Sequence, residues 1–330
     1  MLSRNSYIGN NVLAGSAGLL LAALAFLAMA WVAYGQEGGG VLEGSAGLCF
    51  PSPNQWALEP MASLGLSVAC TGVCVLLLLT LNGRFNVIPG TGVMYAALYL
   101  LAQGAVPWVN TALSSANLLL LGTLICTHLL FAQYGRRNAA PGFFVIFSTL
   151  AWGAMVQYSF VLVMPLFLVG GVFLNIFRLR ELCASVMGIL APFAIVFGLG
   201  LADPLQMSWP ELTNLFKGFT TPTELLLLMI ILGFSALMIL LLTASNTIGG
   251  RAVGQQHRAG LAFINLLGIA TVWYMVFDAT NMMAYTSVLA ACLGLQTARY
   301  AVIQRHRLPY LPMVVMLPVY ITLYILTILN

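Results

Sequence analysis

Residues 112–137 read ALSSANLLLLGTLICTHLLFAQYGRR: no formal charge from Ala112 to Gln133, then the pair Arg136-Arg137. A helix of about 20 apolar residues, rising 1.5 Å per residue, crosses a hydrocarbon core of about 30 Å. This stretch is therefore a bilayer span that ends in a basic loop. Moving outward with the same ruler gives ten more: Val12–Tyr34, Met61–Leu81, Gly90–Val106, Gly142–Gln157, Tyr158–Phe177, Leu182–Leu201, Thr223–Thr243, Gly260–Phe277, Met282–Thr297 and Tyr310–Leu329. The stretch Gly142–Phe177 is too long for one helix and short for two, so the chain must turn near Gln157 as a tight or re-entrant hairpin.

Composition agrees with that reading. Of the 330 residues, 61% are hydrophobic and 6% are charged, against about 25% charged in a soluble domain. A water-exposed globule cannot be covered with so few charges, which excludes a soluble enzyme, a secreted disulfide module and a disordered tail. The net charge of +4 comes from single cations scattered between apolar segments. With no basic run to follow a phosphate backbone, nucleic acid is not an expected partner. The expected class is an all-α, polytopic transmembrane bundle of eleven spans, forming one integral membrane domain over residues 1–330. Membrane lipids are its first partners, in a cell inner membrane. Arg4, the following apolar run and Ala28-Met29-Ala30 resemble a signal peptide, but the run is long enough to be read as a retained first helix.

Short cytoplasmic loops collect Lys and Arg. With Arg4 inside and eleven crossings, Arg84, Arg136, Arg137, Arg178, Arg180, Arg251, Arg258, Arg299, Arg305 and Arg307 all fall inside, and only Lys217 falls outside. Glu37, Glu43, Glu59, Asp203, Glu211, Glu224 and Asp278 fall outside, and Glu181 inside. One miscounted crossing would reverse every later loop, so the expected topology is N-terminus in, C-terminus out.

Three outer features follow. The loop over 35–60 carries Gly38-Gly39-Gly40, Cys49 and Trp56, and its glycine run is no dinucleotide fingerprint. Over 204–222, Ser208 and Glu211 form a capping box, and Leu212, Leu215, Phe216 and Phe219 recur at helical spacing. This is an interfacial amphipathic helix with Trp209 at headgroup depth and Lys217 on its polar side. Thr221-Pro222-Thr223-Glu224 repeats the box with proline at the first helical position. The third feature is the turn at Asp278 and Asn281, where the carboxylate can cap Asn281 and the next helix.

Polar groups within spans are functional candidates by default. His128 reads as helix-bonded, and Gln103, Asn117, Gln157, Asn175 and Asn265 as the amide adhesive between packed spans. Gly170, Gly171, Gly188, Gly198 and Gly200 permit close helix approach. Cys70 and Cys74 share a helix face without a zinc signature and read as small packing residues. No metal, nucleotide, haem or flavin is implied by any spacing.

A pattern in the middle of the chain adds a resemblance. It runs through Arg84-Phe85-Asn86, Pro107, Asn117, Arg136-Arg137, Pro165, Phe177-Arg178-Leu179-Arg180-Glu181, Gly188 and Pro192. Over about Asn82 to Asp203 it resembles an uncharacterised family of bacterial polytopic inner-membrane proteins. More distantly, it is similar to the helical core of GT-C-type membrane glycosyltransferases, which use polyprenyl-phosphate sugars at the outer face. That resemblance implies a catalytic acid in the first outer loop, where Glu37 and Glu43 stand, with Asp278 a further candidate and Lys217 placed to meet a phosphate. The loop is shorter than in such enzymes and lacks paired acids, and one outer cation is little for a diphosphate. Two functions are therefore expected: an envelope protein acting on lipid-linked sugar or prenyl-linked substrates, or a non-catalytic membrane subunit of an envelope protein complex. A transporter would show broken helices in matching halves, and no inverted repeat is evident.

Overall fold

A computed structural model describes residues 15–37, 47–204, 207, 222–249, 255–278, 281–303 and 310–329. They form α1 (Ser16–Glu37), α2 (Pro60–Phe85), α3 (Met94–Gly104), α4 (Pro107–Asn110), α5 (Ser115–Ala132) and α6 (Ala140–Val156). Next come α7 (Ser159–Phe173), α8 (Leu179–Gly198), α9 (Pro222–Gly249), α10 (Gln255–Phe277), α11 (Met282–Ile303) and α12 (Leu311–Leu329). Among the described residues the regular elements are all helical. Eight helices, α1, α2, α5 and α8 to α12, are long and apolar enough to cross a membrane, which makes this a multi-pass membrane protein.

The hairpin expected near Gln157 is present, with α6 and α7 meeting at Gln157 and Tyr158. Both are shorter than a full span. The expected span Gly90–Val106 is corrected. Helix α3 has 11 residues, a rise of about 16 Å, which is half a hydrocarbon core. Gly90 and Gly92 take positive φ before it, and Pro107 ends the possibility of continuing it, because proline has no N–H to give to the preceding turn. The interrupted backbone over 105–114 is buried throughout, the only environment in which irregular backbone is tolerated at membrane depth.

Side-chain contacts fix the helix directions. Ser67 meets Asn117 and Thr80 meets His128, so α2 and α5 run the same way. Cys126 meets the Ile146 carbonyl, so α6 runs back. Asn246 meets the Gln296 carbonyl, setting α9 parallel to α11. One end of the bundle then carries Arg84, Arg136, Arg137, Arg178, Arg180 and Arg258, and the other carries Glu59, Asp203 and Asp278.

Helix α11 is the centre, packed on α3, α5, α9 and α10 and buried along almost its whole length. With lipid as apolar as the core, tight packing rather than water exclusion must hold such helices together. Gly294 serves this: a Cβ there would lie 2.6 Å from the Tyr95 carbonyl oxygen of α3. Gly188 does the same between α8 and α6, where a Cβ would lie 2.5 Å from the Phe144 carbonyl oxygen. Gly170 and Gly171 also face neighbours, whereas Gly198 faces open space, so its expected packing role is not found. Phe85, Phe131, Phe263 and Phe167 pack edge-to-face or tilted in series from α2 through α5 and α10 to α7, with centroids 5.7, 6.0 and 5.3 Å apart.

Candidate functional site

Of the four residues singled out for chemistry, Asp278 alone has a described side chain. Glu37 closes α1, while Glu43 and Lys217 lie outside the described residues, as do Trp209 and the rest of the expected interfacial helix except Pro204 and Met207. No two of the four are brought together among the described residues.

Asp278 ends α10 and is 2% exposed. Asn281 Nδ2 donates to its Oδ1 at 2.9 Å and to its Oδ2 at 3.2 Å, and the Tyr285 hydroxyl donates to Oδ2 at 2.7 Å. The expected cap on Asn281 is therefore observed, and Tyr285 reinforces it from the first turn of α11. Gln157 Nε2 donates to Asn281 Oδ1 at 3.3 Å and to Ser159 Oγ at 3.2 Å. Two turns, α6–α7 and α10–α11, are thus cross-linked through Asn281, which Asp278 holds in place. Both carboxylate oxygens accept hydrogen bonds from Asn281 or Tyr285 in a buried setting. Tyr285 and Ser159 escaped the sequence reading, although the spacing Asp278, Asn281, Tyr285 (i, i+3, i+7) marks one helical face.

Residues 47–50 pass over this end. The amides of Leu48, Cys49 and Phe50 donate to the Ala154 and Met155 carbonyls at 2.9–3.1 Å, supplying partners that the last turn of α6 cannot find within its own helix. Burial raises the Cys49 thiol above its ordinary range.

Of the amides expected as adhesive within the spans, Gln103 and Asn117 are gathered at the helix break, Gln157 bonds Asn281, Asn265 pairs with Gln296, and Asn175 lies exposed at a turn. Asn117 Nδ2 donates to Ser67 Oγ at 2.8 Å, and Gln103 Nε2 donates to Asn117 Oδ1 at 3.3 Å and Asn110 Oδ1 at 3.4 Å. Asn110 Nδ2 donates to the Gln103 and Val106 carbonyls at 2.6 and 3.0 Å. This cluster satisfies the broken backbone between α3 and α5 and ties it to α2. Ser63 extends it by accepting the Leu113 amide at 2.9 Å. Cys70 donates to the Asn117 carbonyl at 3.6 Å, which fits its packing role. His128 is helix-bonded as expected, with Nδ1 3.0 Å from the Leu124 carbonyl and Nε2 3.1 Å from Thr80 Oγ1. Among the described residues no three His, Cys, Asp or Glu side chains are grouped to hold a metal ion.

Two charges depart from the expected loops. Glu181 is 1% exposed in the first turn of α8 and pairs with Arg180 at 3.2 Å. Arg299 is not a loop residue: α11 continues past Thr297 to Ile303, and Arg299 is 8% exposed inside it. Hydropathy ended that span early because it counts a charge as water-exposed wherever it lies. No family model, curated protein or solved structure matches the chain.

Proposed function

We propose that this protein is a non-catalytic, multi-pass subunit of the cell inner membrane, a scaffold for an envelope protein complex, with eleven crossings, one of them made by the broken stretch through α3 and α4 that returns the chain between α2 and α5, its arginine end in the cytosol and its acid end outside. One observation carries the reading: Asp278 and the amides at the helix break are bonded to neighbouring side chains. Asp278 is spent on Asn281 and Tyr285, and Ser67, Gln103, Asn110 and Asn117 on each other. Such bonds brace helices, and they hold the carboxylate buried against its own turn.

The competing reading is a GT-C-like protein acting on lipid-linked sugar or prenyl-linked substrates at the outer face. It is favoured by the gathering of Glu59, Asp203 and Asp278 at the end where α1 closes on Glu37. It would use Glu37 or Glu43 as base and Lys217 against phosphate.

The experiment replaces Glu37 and Glu43 with Gln and Asp278 with Asn, singly and together, and follows envelope glycans alongside mild-detergent purification. Unchanged glycans and a stoichiometric copurifying envelope protein support the scaffold. A lost glycan in variants that still fold, or a lone monomer from the unaltered chain, overturns it.

A further inference from the structure

At the arginine end, α9, α10 and α11 line an open pocket of about 280 Å3 formed by Asn246, Thr247, Arg258, Asn265 and Arg299. Small-molecule sites begin at about 300 Å3, so the space suits a head group rather than a large substrate. Its polar lining is not used up. Arg299 is 8% exposed, and its Nε has no hydrogen-bond partner among the described residues. Asn246 is 2% exposed, its Nδ2 donates to the Gln296 carbonyl at 3.1 Å, and its Oδ1 is without a partner on the same terms. Gln296 holds the floor by donating to Asn265 Oδ1 at 3.4 Å and accepting from Thr243 at 3.2 Å. Among the described residues no carboxylate is paired with Arg299; the recorded ion pair is Arg180 with Glu181.

A guanidinium taken out of water and left without an anion is expensive, and a chain that keeps one there gains only when an anion arrives. Two guanidinium groups on one cavity match the spread charge of a phosphate oxygen set better than a single carboxylate would. The unpartnered acceptor on Asn246 adds a second demand, because the fully ionised phosphate group of an ester has no hydrogen to give it. Leu261 and Ala262 complete the wall with an apolar side.

We propose that this cavity binds a phosphate ester that also carries a hydroxyl: anionic oxygens meet Arg258 and Arg299, and the hydroxyl donates to Asn246 Oδ1. A lipid head group of the glycerol-phosphate kind and a soluble phosphorylated polyol share this chemistry. Basic pockets between membrane helices are known takers of anionic head groups. The site lies at the opposite end from Asp278 and does not depend on the scaffold reading.

The test uses the full-length protein in neutral detergent, with thermal unfolding read against added short-chain phosphatidylglycerol, glycerol 3-phosphate, inorganic phosphate and short-chain phosphatidylcholine. Saturable stabilisation by phosphatidylglycerol, weakened about tenfold or more in Arg299→Gln and in Arg258→Gln, is expected. Glycerol 3-phosphate matching it would assign a soluble ligand; glycerol 3-phosphate failing would assign the lipid. Without ligand, Arg299→Gln should unfold no earlier than the parent, since it removes an uncompensated charge. Arg258→Gln, at an exposed position, keeps the test open if Arg299→Gln fails to fold. Equal stabilisation by phosphatidylcholine, equal response of the arginine variants and the parent, or no response to phosphatidylglycerol and glycerol 3-phosphate overturns the proposal.

Discussion

The Tyr285 hydroxyl donates to Asp278 Oδ2 at 2.7 Å, a bond that closes the turn between α10 and α11. Removing it with Tyr285→Phe keeps the ring and strips one donor from a buried carboxylate. Hydrogen bonds to charged groups are worth about 1.5–3 kcal/mol in soluble proteins, and membrane pairs average nearer 0.6 kcal/mol. A loss of about 1–2 kcal/mol is expected in detergent unfolding. Combining it with Asp278→Asn should cost less than the sum of the two, because both act on one bond. Strict additivity would show that Asp278 is held by something else.

Gln103 and Ser67 both depend on Asn117. Asn117→Leu keeps similar bulk but takes the shortest bond from Ser67 and one of two from Gln103 beside the broken backbone, leaving them the Val109 carbonyl and Asn110, each at 3.4 Å, so a loss of about 1–2 kcal/mol is expected. Asn175→Leu, by contrast, should destabilise through its backbone, because Asn175 sits at φ 57° where a leucine is strained. Equal tolerance of Asn117→Leu and of Leu118→Ala on the neighbouring, half-buried position would argue against the cluster.

The contact at Gly188 allows no side chain: Gly188→Ala must push α8 from α6, since the obstructing atom is the Phe144 backbone oxygen. Overpacking of this kind costs about 1–3 kcal/mol. Gly198→Ala, facing open space, is its control and should be neutral or slightly stabilising, as alanine is the better helix former. Protease resistance in detergent separates the two.

The long spans were legible because length and hydropathy are local properties, and Ala112–Gln133 contains α5 almost whole. Helix α3 was not, because a broken span and a whole one have the same composition; only Gly90, Gly92 and Pro107 marked where backbone bonding fails. At the acid end Asp278 and Asn281 were legible from their spacing, while Tyr285 was not, because a tyrosine near a span end looks like any interfacial aromatic. Arg299 was hidden for the opposite reason: sequence shows a charge, and only packing shows that it is enclosed.

Cys49 offers a check on the strap over α6. Its thiol is raised by burial, so near neutral pH it holds less thiolate than a free cysteine, and thiolate is the reactive form. With the other cysteines replaced, alkylation of Cys49 should be slow at pH 7.5 and keep rising beyond about pH 8.5, the ordinary thiol value. The same sign governs stability. A group held protonated in the folded chain contributes fully below its unfolded value and loses that contribution as pH climbs through the raised one. A Cys49 that reacts like a free thiol would show that residues 47–50 do not stay docked on Ala154 and Met155.

The two ends make the broadest prediction. Because side-chain contacts set the helix directions independently of any charge rule, the shared end of Arg137 and Arg258 follows from Thr80 meeting His128, Leu130 lying beside Gly170 and Gly170 beside Phe263. Reporters inserted after Arg137 and after Arg258 should therefore give the same side, and a reporter after Asp203 the other. Cytosolic signals at both arginine sites would agree with cations retained on the inner leaflet. Matching periplasmic signals would invert the protein without disturbing the bundle. Split signals from Arg137 and Arg258 would instead require an odd number of crossings between them, whereas α6, α7, α8 and α9 bring the chain back to the end it left, and would break this bundle.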